Sequence, residues 1–259
     1  MKRFILIGEK LSHSYSVPIH EAFFRLLGIR GQYTLKEFDP RAFIDIRDAL
    51  LQLSGANVTI PYKRTIIPYL DDYDISARSV GAVNTIENLH GRLIGHNTDV
   101  GGLVAMLDYH GFKVEGRPCA ILGAGGASKA AEAALRQMGA SSVRVFSRTP
   151  ELKSGTHPYD DLRHYRGGLL VNCTPVGMYP NADACPVSQE IVRHFDEGVD
   201  MIYNPKETLF SKAFEKSATG LYMLVAQAAL AQEIWFQEPI ESDMIETVYK
   251  NMLKEFQTL

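Results

Sequence analysis

Short apolar runs alternate with longer amphipathic stretches along most of the 259-residue chain. Phe4 to Ile7 is apolar and gives way at Gly8 to a polar loop, Glu9 to Ser16; from about Val17 apolar residues return at Ile19, Phe23, Leu26 and Leu27, and Gly28 follows. That is a strand and then one face of a helix. Tyr33 to Phe38 predicts a second strand, Asp39-Pro40 a cap and first turn for a second helix, and Ala56 to Ile60 a third strand. Strand and helix in alternation predict a mainly parallel sheet covered by helices. The stretch from Val83 to His96 departs from this order: two β-rich runs flank Asn88-Leu-His-Gly91, which reads as a hairpin. Asp99 then opens a helix to about His110.

The alternation restarts in a tighter form at Cys119-Ala-Ile-Leu-Gly-Ala-Gly-Gly-Ala-Ser-Lys. Ala131, Ala134, Leu135 and Met138 recur at helical spacing before Gly139, and a second apolar run ends in Ser147-Arg148-Thr149. Strand, glycine turn, helix, strand is half of a dinucleotide-binding unit. In that reading Gly123 permits the turn out of the strand, Gly125 lets backbone approach a pyrophosphate, and Gly126 helps the helix sit tightly. Ala124 and Ala127 complete the cradle, where free N–H groups at the helix start meet the phosphate. A carboxylate at the end of the second strand would hold the ribose hydroxyl of NAD. This chain has Ser147, Arg148 and Thr149 there, with Lys153 close behind, and an arginine suits the 2′-phosphate of NADP. The competing reading of Arg148 is a solvated charge at a strand end.

Pro150 to Gly168 looks too short and too poor in helical periodicity for a full helix and strand. Leu169 to Asn172 and Val199 to Ile202 predict further strands ending in polar loops, the positions that face a ligand in open parallel sheets. Two helices close the chain, with Met223, Ala226, Gln227 and Leu230 on one face of the first and Met244, Ile245, Val248, Met252 and Leu253 on one face of the second.

Composition narrows the class. With 22% charged residues and a formal net charge of -3, no basic surface for nucleic acid is indicated. No stretch approaches a membrane span, and the N-terminal apolar run is too short for a signal peptide, so a cytoplasmic location is expected. Cys119, Cys173 and Cys185 show no paired ligand spacing and no HExxH pair occurs, so neither a disulfide framework nor a metal is expected.

Four segments near predicted strand ends are unusually polar: Ser14-Tyr-Ser16, Asn57-Val-Thr-Ile-Pro-Tyr-Lys63, Gly81-Ala-Val-Asn-Thr85 and Asn97-Thr-Asp99. By composition alone the serines read as a helix cap, Asn84 as a turn residue, Asp99 as a cap and Lys63 as a surface charge. Gln227, polar on an apolar helix face, needs a partner. Together with Gly123 to Ser128, Ser147-Arg-Thr149, Asn172-Cys-Thr-Pro-Val-Gly-Met178, Tyr203-Asn-Pro205 and Gly220-Leu-Tyr-Met-Leu-Val-Ala-Gln-Ala228, these nine segments in fixed order resemble the shikimate dehydrogenase family along nearly the whole chain.

The resemblance implies an α/β enzyme with an N-terminal α/β/α substrate domain, residues 1–100 completed by helices in 222–259, and a Rossmann-like doubly wound NADP domain, 101–221. It implies that Ser14 and Ser16 hold a substrate carboxylate, that Asn57, Thr59, Asn84, Asp99, Tyr203 and Gln227 surround the ring, and that Lys63 and Asp99 are the catalytic pair. Thr174, Met201 and Gly220 would border the nicotinamide. The implied reaction is NADPH reduction of 3-dehydroshikimate to shikimate, by a monomer or homodimer whose cleft closes to exclude water. Two alternatives accompany it: a quinate/shikimate paralogue that also uses NAD, and a catalytically idle NADP-binding sensor. Val17 stands where the family usually has proline and Tyr222 where it usually has glycine, so the serine loop and the nicotinamide end are the places where change is expected.

Overall fold

The computed structural model describes residues 1–11, 14–39, 43, 45–150 and 155–255. The chain divides into two compact units, Met1–Asp99 with Val225–Leu259, and Val100–Leu224.

The first unit is built on strands β1 (Lys2–Gly8), β2 (Gly31–Glu37), β3 (Gly55–Val58), β4 (Asp72–Tyr73), β5 (Thr85–Leu89) and β6 (Arg92–His96), in the order β2-β1-β3-β5-β6-β4. β2, β1 and β3 run parallel, β5 is antiparallel to both β3 and β6, and β4 is parallel to β6. The expected hairpin is β5–β6, turning at His90 and Gly91 with φ of 54° and 86°. Two left-handed residues in a two-residue loop give the twist that antiparallel strands need. Alternation along β1 sends Phe4 and Leu6 to one face, with Phe24, Tyr33 and Trp235, while Ile5 and Ile7 meet Ile46, Val58 and Ile86 on the other.

Helix α1 (Ser16–Leu26) buries Ile19, His20, Ala22, Phe23 and Phe24. Leu26, expected on the inner face, is instead 45% exposed, because the helix ends there and the chain turns outward through Gly28 at φ 65°. The described part of the helix expected after Asp39-Pro40 is α2 (Ile46–Leu51), with Asp45 at its N-cap; Pro40 lies outside the described residues. The third strand ends at Val58 and not at Ile60. Helix α3 (Ile75–Val80) is capped by Asp74, which accepts the Ala77 N–H at 3.1 Å, and stops at left-handed Gly81.

The second unit carries α4 (Asp99–Tyr109), β7 (Pro118–Leu122), α5 (Gly126–Gln137), β8 (Ser142–Ser147), β9 (Thr156–Pro158), β10 (Gly167–Asn172), α6 (Gln189–Val192), β11 (Phe195–Asp200), α7 (Leu209–Lys212) and β12 (Ser217–Thr219). All its pairings are parallel, in the order β9-β8-β7-β10-β11-β12. Counting β7 as the first strand, this is the 3-2-1-4-5-6 order of the doubly wound dinucleotide fold, with its switch point between β7 and β10. The segment expected to be too short for a full helix and strand holds the three-residue β9, which pairs with Val145 to Ser147, and a 3₁₀ helix, Tyr159–His164, makes the return. A 3₁₀ helix rises about 2 Å per residue against 1.5 Å for an α-helix, so fewer residues cover the crossover.

The chain closes with α8 (Leu221–Phe236) and α9 (Ser242–Glu255). A one-sided apolar stripe describes α9, which buries Val248 and Met252, but not α8: Val225, Ala226, Ala228 and Ala229 are all at most 1% exposed. Trp235 stacks on Phe4 at 4.4 Å between ring centroids and donates its indole N–H to the Ile86 carbonyl at 3.0 Å. Among the described residues no helix is long and apolar enough to cross a membrane.

Candidate active site

In the first unit, Ser14, Ser16, Asn57, Lys63, Asn84, Asp99 and Gln227 belong to one hydrogen-bonded network, to which Thr59 adds no side-chain bond among those described. Lys63 sits in the turn after β3, and its carbonyl accepts the Val83 N–H at 2.7 Å, which ties the turn to the segment entering β5. Its Nζ lies 2.6 Å from Asp99 Oδ2, with side-chain exposures of 25% and 14%. Asn84 donates to the other Asp99 oxygen at 2.8 Å, and its Oδ1 accepts the Thr98 N–H at 2.8 Å. The Thr98 hydroxyl also donates to Gln227 Oε1 at 3.3 Å, bringing α8 to the network. The carboxylate is thereby held by an ammonium and an amide from separate segments. Such a pair can deliver and recover a proton.

Asn57 lies beneath. Its Nδ2 donates to the Asn84 carbonyl at 3.1 Å and to Thr85 Oγ1 at 3.0 Å, while its Oδ1 accepts the Tyr33 hydroxyl at 2.8 Å. Both amide hydrogens are thus engaged, and what Asn57 has left to offer is acceptor capacity on Oδ1. Tyr33 is also hydrogen-bonded by Ser16, although burial keeps its phenol neutral well beyond the usual range. His20 stacks on Tyr33 at 4.0 Å, and burial lowers its pKa to about 3, leaving a neutral imidazole. Ser14 and Ser16 lie together, 3.1 Å between hydroxyl oxygens. Tyr15 occupies the N-cap of α1 and makes no side-chain cap bond, while Ser14 Oγ accepts the N–H of Ser16, the first helical residue, at 3.3 Å. Thr59 donates its N–H to the Ile7 carbonyl at 2.8 Å, and its methyl covers Gly8 so closely that a Cβ there would lie 2.8 Å from it. His13, the first residue of the serine motif, lies outside the described residues.

In the second unit, the glycine turn leaves β7 at Gly123 with φ 98°. A Cβ at Gly123 would meet Thr174 Cγ2 at 3.1 Å and the Cys173 carbonyl at 3.2 Å, so this position needs glycine on two grounds. Gly126 was expected to seat the helix against its surroundings, yet a Cβ on it, or on Gly125, would have nothing within 4 Å. The reason is position: Gly126 is the exposed first residue of α5, and buried Ser128, Ala130 and Ala131 do the packing. Open space over Ala124 to Ala127, together with an N-cap that offers no side-chain bond, leaves helix-start N–H groups available to an anion. These residues fit a dinucleotide.

At the end of β8, Ser147 Oγ accepts the Thr149 N–H at 3.2 Å and shapes a turn from which Arg148 and Thr149 project, exposed. Burial raises the pKa of the Tyr159 phenol, and the nearby charge of Arg148 opposes that shift. Lys153 lies outside the described residues. Thr174 gives its N–H and hydroxyl to Asn172 Oδ1 at 3.0 and 2.7 Å. Met201 donates its N–H to the Asn172 carbonyl at 3.0 Å, and Gly220 its N–H to the Ile202 carbonyl at 2.9 Å. Tyr203 is in the loop that follows β11. Tyr222 is buried, its ring stacked on Tyr109 at 4.1 Å and edge-on to His110. Among the described residues no group of acidic, histidine and cysteine side chains is arranged to hold a metal ion.

Tyr33 and Thr98 join the substrate-side network although neither was a candidate site residue. Thr98 lies inside the Asn97-Thr-Asp99 segment, where it reads as a helix cap. Tyr33 carries no signal, since a tyrosine in a strand is ordinary.

Residues 6–86 match the family model for the shikimate dehydrogenase substrate binding domain. The shikimate dehydrogenase (NADP(+)) of Clostridium beijerinckii is 36% identical to this chain, over 99% of the chain and 100% of that protein. The crystal structure of shikimate dehydrogenase 1 from Peptoclostridium difficile superposes with a TM-score of 0.90 at 40% identity, covering 99% of each chain. Shikimate 5-dehydrogenase of Thermus thermophilus, solved in complex with NADP(H) and shikimate, gives a TM-score of 0.87 at 31% identity, covering 97% of this chain and 99% of the other. With relatives matched end to end at this identity, the chain belongs to the shikimate dehydrogenase family.

Proposed function

We propose that this protein is an NADP-dependent shikimate dehydrogenase that interconverts 3-dehydroshikimate and shikimate, with Lys63 and Asp99 as its acid–base pair. The observation that carries the reading is the 2.6 Å ion pair of Lys63 with Asp99, held on its second oxygen by Asn84. Full-length relatives named for NADP, and one solved with both NADP(H) and shikimate, support the choice of cofactor and substrate.

NADPH, when bound, would supply a hydride to the ketone carbon. As charge develops on the ketone oxygen, the Lys63 ammonium gives it a proton, and the amine left behind regains one from solvent. Asp99 orients the ammonium, and Asn84 keeps the carboxylate from rotating. Ser14 and Ser16 receive the substrate carboxylate with two hydroxyl donors. Asn57, Thr59 and Gln227 surround the ring, with Tyr203 as a further contact. Arg148, with Ser147 and Thr149, takes the 2′-phosphate of the cofactor, the Gly123–Ala127 turn its pyrophosphate, and Thr174, Met201 and Gly220 its nicotinamide end.

The test is a matrix of assays on purified protein with shikimate or quinate and with NADP or NAD, followed through the absorbance of the reduced nicotinamide. Turnover is expected with shikimate and NADP above every other pair. Activity confined to quinate with NAD, or absent from all four combinations, would remove the proposal.

A further inference from the structure

Asp200 ends β11 with 0% exposure, and the reaction just described gives it no part. Its carboxylate gathers donors from three segments: Oδ1 accepts Asn172 Nδ2 at 3.0 Å and the Ile202 N–H at 3.0 Å, and Oδ2 accepts the Thr208 hydroxyl at 2.6 Å. Asn172 ends β10, the strand beside β11. Because its amide nitrogen is bound to an acceptor that has no hydrogen to give, its oxygen must face the other way. There it receives both the N–H and the hydroxyl of Thr174, whose own Oγ1 accepts the Val176 N–H at 3.2 Å. Thr174 and Cys173 in turn stand against Gly123, at 3.1 and 3.2 Å from where a Cβ would be. On the far side Thr208 caps α7 reciprocally with Ser211. The chain of contacts therefore runs from the buried acid, through one amide, to the glycine turn at the switch point.

A doubly wound sheet binds the two halves of a dinucleotide on opposite sides of that switch point. With Arg148 at the end of β8 taking the adenosine side, the loops after β10 and β11 fall to the nicotinamide side. A buried carboxylate is costly to desolvate, and burial does raise the pKa of Asp200, to about 6. An apolar residue would pack a strand end at less expense. What an ionised acid provides is acceptors alone, which act with the Val176 carbonyl, 3.4 Å from Nδ2, and the Thr174 N–H, 3.0 Å from Oδ1, to give the Asn172 amide one orientation.

We propose that Asp200 is a positioning residue for the nicotinamide half of the cofactor: it orients Asn172 and so holds Thr174 and the turn after β10 against Gly123. The inference rests on the NADP reading above, and the test separates the two. Binding of NADPH and of adenosine 2′,5′-bisphosphate, which lacks the nicotinamide half, is titrated by fluorescence and calorimetry on wild type, Asp200→Ala, Asp200→Asn and Thr208→Val. Asp200→Ala is expected to weaken NADPH about tenfold and leave the bisphosphate unchanged. Asp200→Asn should recover most of the loss, because its oxygen can keep Asn172 and Ile202 while the Thr208 hydroxyl turns to accept. Equal losses for both ligands, or no loss for either, would overturn the inference. Should Asp200→Ala fail to fold by circular dichroism, the same comparison on Thr208→Val decides, with a smaller selective loss expected and an unselective or absent one counting against. Wild type that binds neither ligand would remove the NADP reading and this inference with it.

Discussion

Lys63 Nζ and Asp99 Oδ2 are 2.6 Å apart although 36 residues separate them in the chain. One is in a turn after a strand and the other is the first residue of a helix, so only the tertiary fold makes them partners. Replacing Lys63 with alanine removes the proposed proton donor and leaves the proposed binding surfaces in place. We expect Lys63→Ala to lower kcat roughly 100- to 10,000-fold, the range typical of a lost general acid. NADP affinity measured by titration should stay within about twofold of wild type, on the same reasoning that the lysine acts on the ketone oxygen. Full turnover in the variant would eliminate the pair as the catalytic centre.

Arg148 projects from the strand-end turn that Ser147 stabilises. Hydrogen bonds to charged groups contribute about 1.5–3 kcal/mol, so Arg148→Ala should raise the KM for NADP by roughly 10- to 100-fold. The KM for NAD, which lacks the 2′-phosphate, should hardly move. Kinetics with the two cofactors check this, and a parallel rise in both would mean that Arg148 does not read the phosphate.

Tyr33 joins Ser16 to Asn57 from beneath the proposed substrate site. Tyr33→Phe leaves a buried acceptor on Asn57 without its donor, a change that costs about 1–3 kcal/mol. The expected signature is a KM for shikimate raised several-fold, a KM for NADP unchanged, and a modest fall in melting temperature. If the two Michaelis constants shift together, the tyrosine serves the fold and not the site.

Asp200 predicts a pH dependence of stability. Its pKa is about 6 in the fold, against an ordinary value of 3.8. Between these values the folded chain holds more protons than the unfolded one, so stability falls as pH rises from about 4 to about 6 and is level above. The size is about 3 kcal/mol, from roughly two pKa units at 1.36 kcal/mol each. Asp71, Asp72 and Asp74 are shifted downward and act at lower pH with the opposite sign. The Cys173 and Cys185 thiols, pushed up mainly by burial and further by Asp200, stay neutral throughout. Denaturant unfolding of wild type and Asp200→Asn across this window isolates the effect: the difference between the two should grow with pH, in favour of the variant. A constant difference would contradict it.

Much of this was readable before any coordinates. The glycine turn, the small-residue stripe on α5 and the hairpin at His90-Gly91 are local patterns whose backbone demands few other residues meet. What escaped the sequence was whatever depends on neighbours distant in the chain. Helix α8 has no stripe because it is covered on several sides, so periodicity around it carries no information. The strand β9 is three residues long, too short to show alternation. Gly126 fits the nucleotide pattern, but the space around it is empty, which no motif reveals. The resemblance named Lys63 and Asp99 as the proposed pair, while Tyr33 and Thr98 became visible only through hydrogen-bond partners.

The saturated amide of Asn57 bears on what a ligand must bring. With both of its hydrogens engaged, Asn57 would only accept a hydrogen bond from a ring hydroxyl, on the Oδ1 that also accepts from Tyr33. In the proposed site, therefore, size and polarity are insufficient credentials. A fluorinated analogue of the same shape, having no hydrogen at that carbon's substituent, presents one electron-rich atom to another. Refusal of such a mimic would come from the Asn84 carbonyl and the Thr85 hydroxyl, which hold both hydrogens of the Asn57 amide.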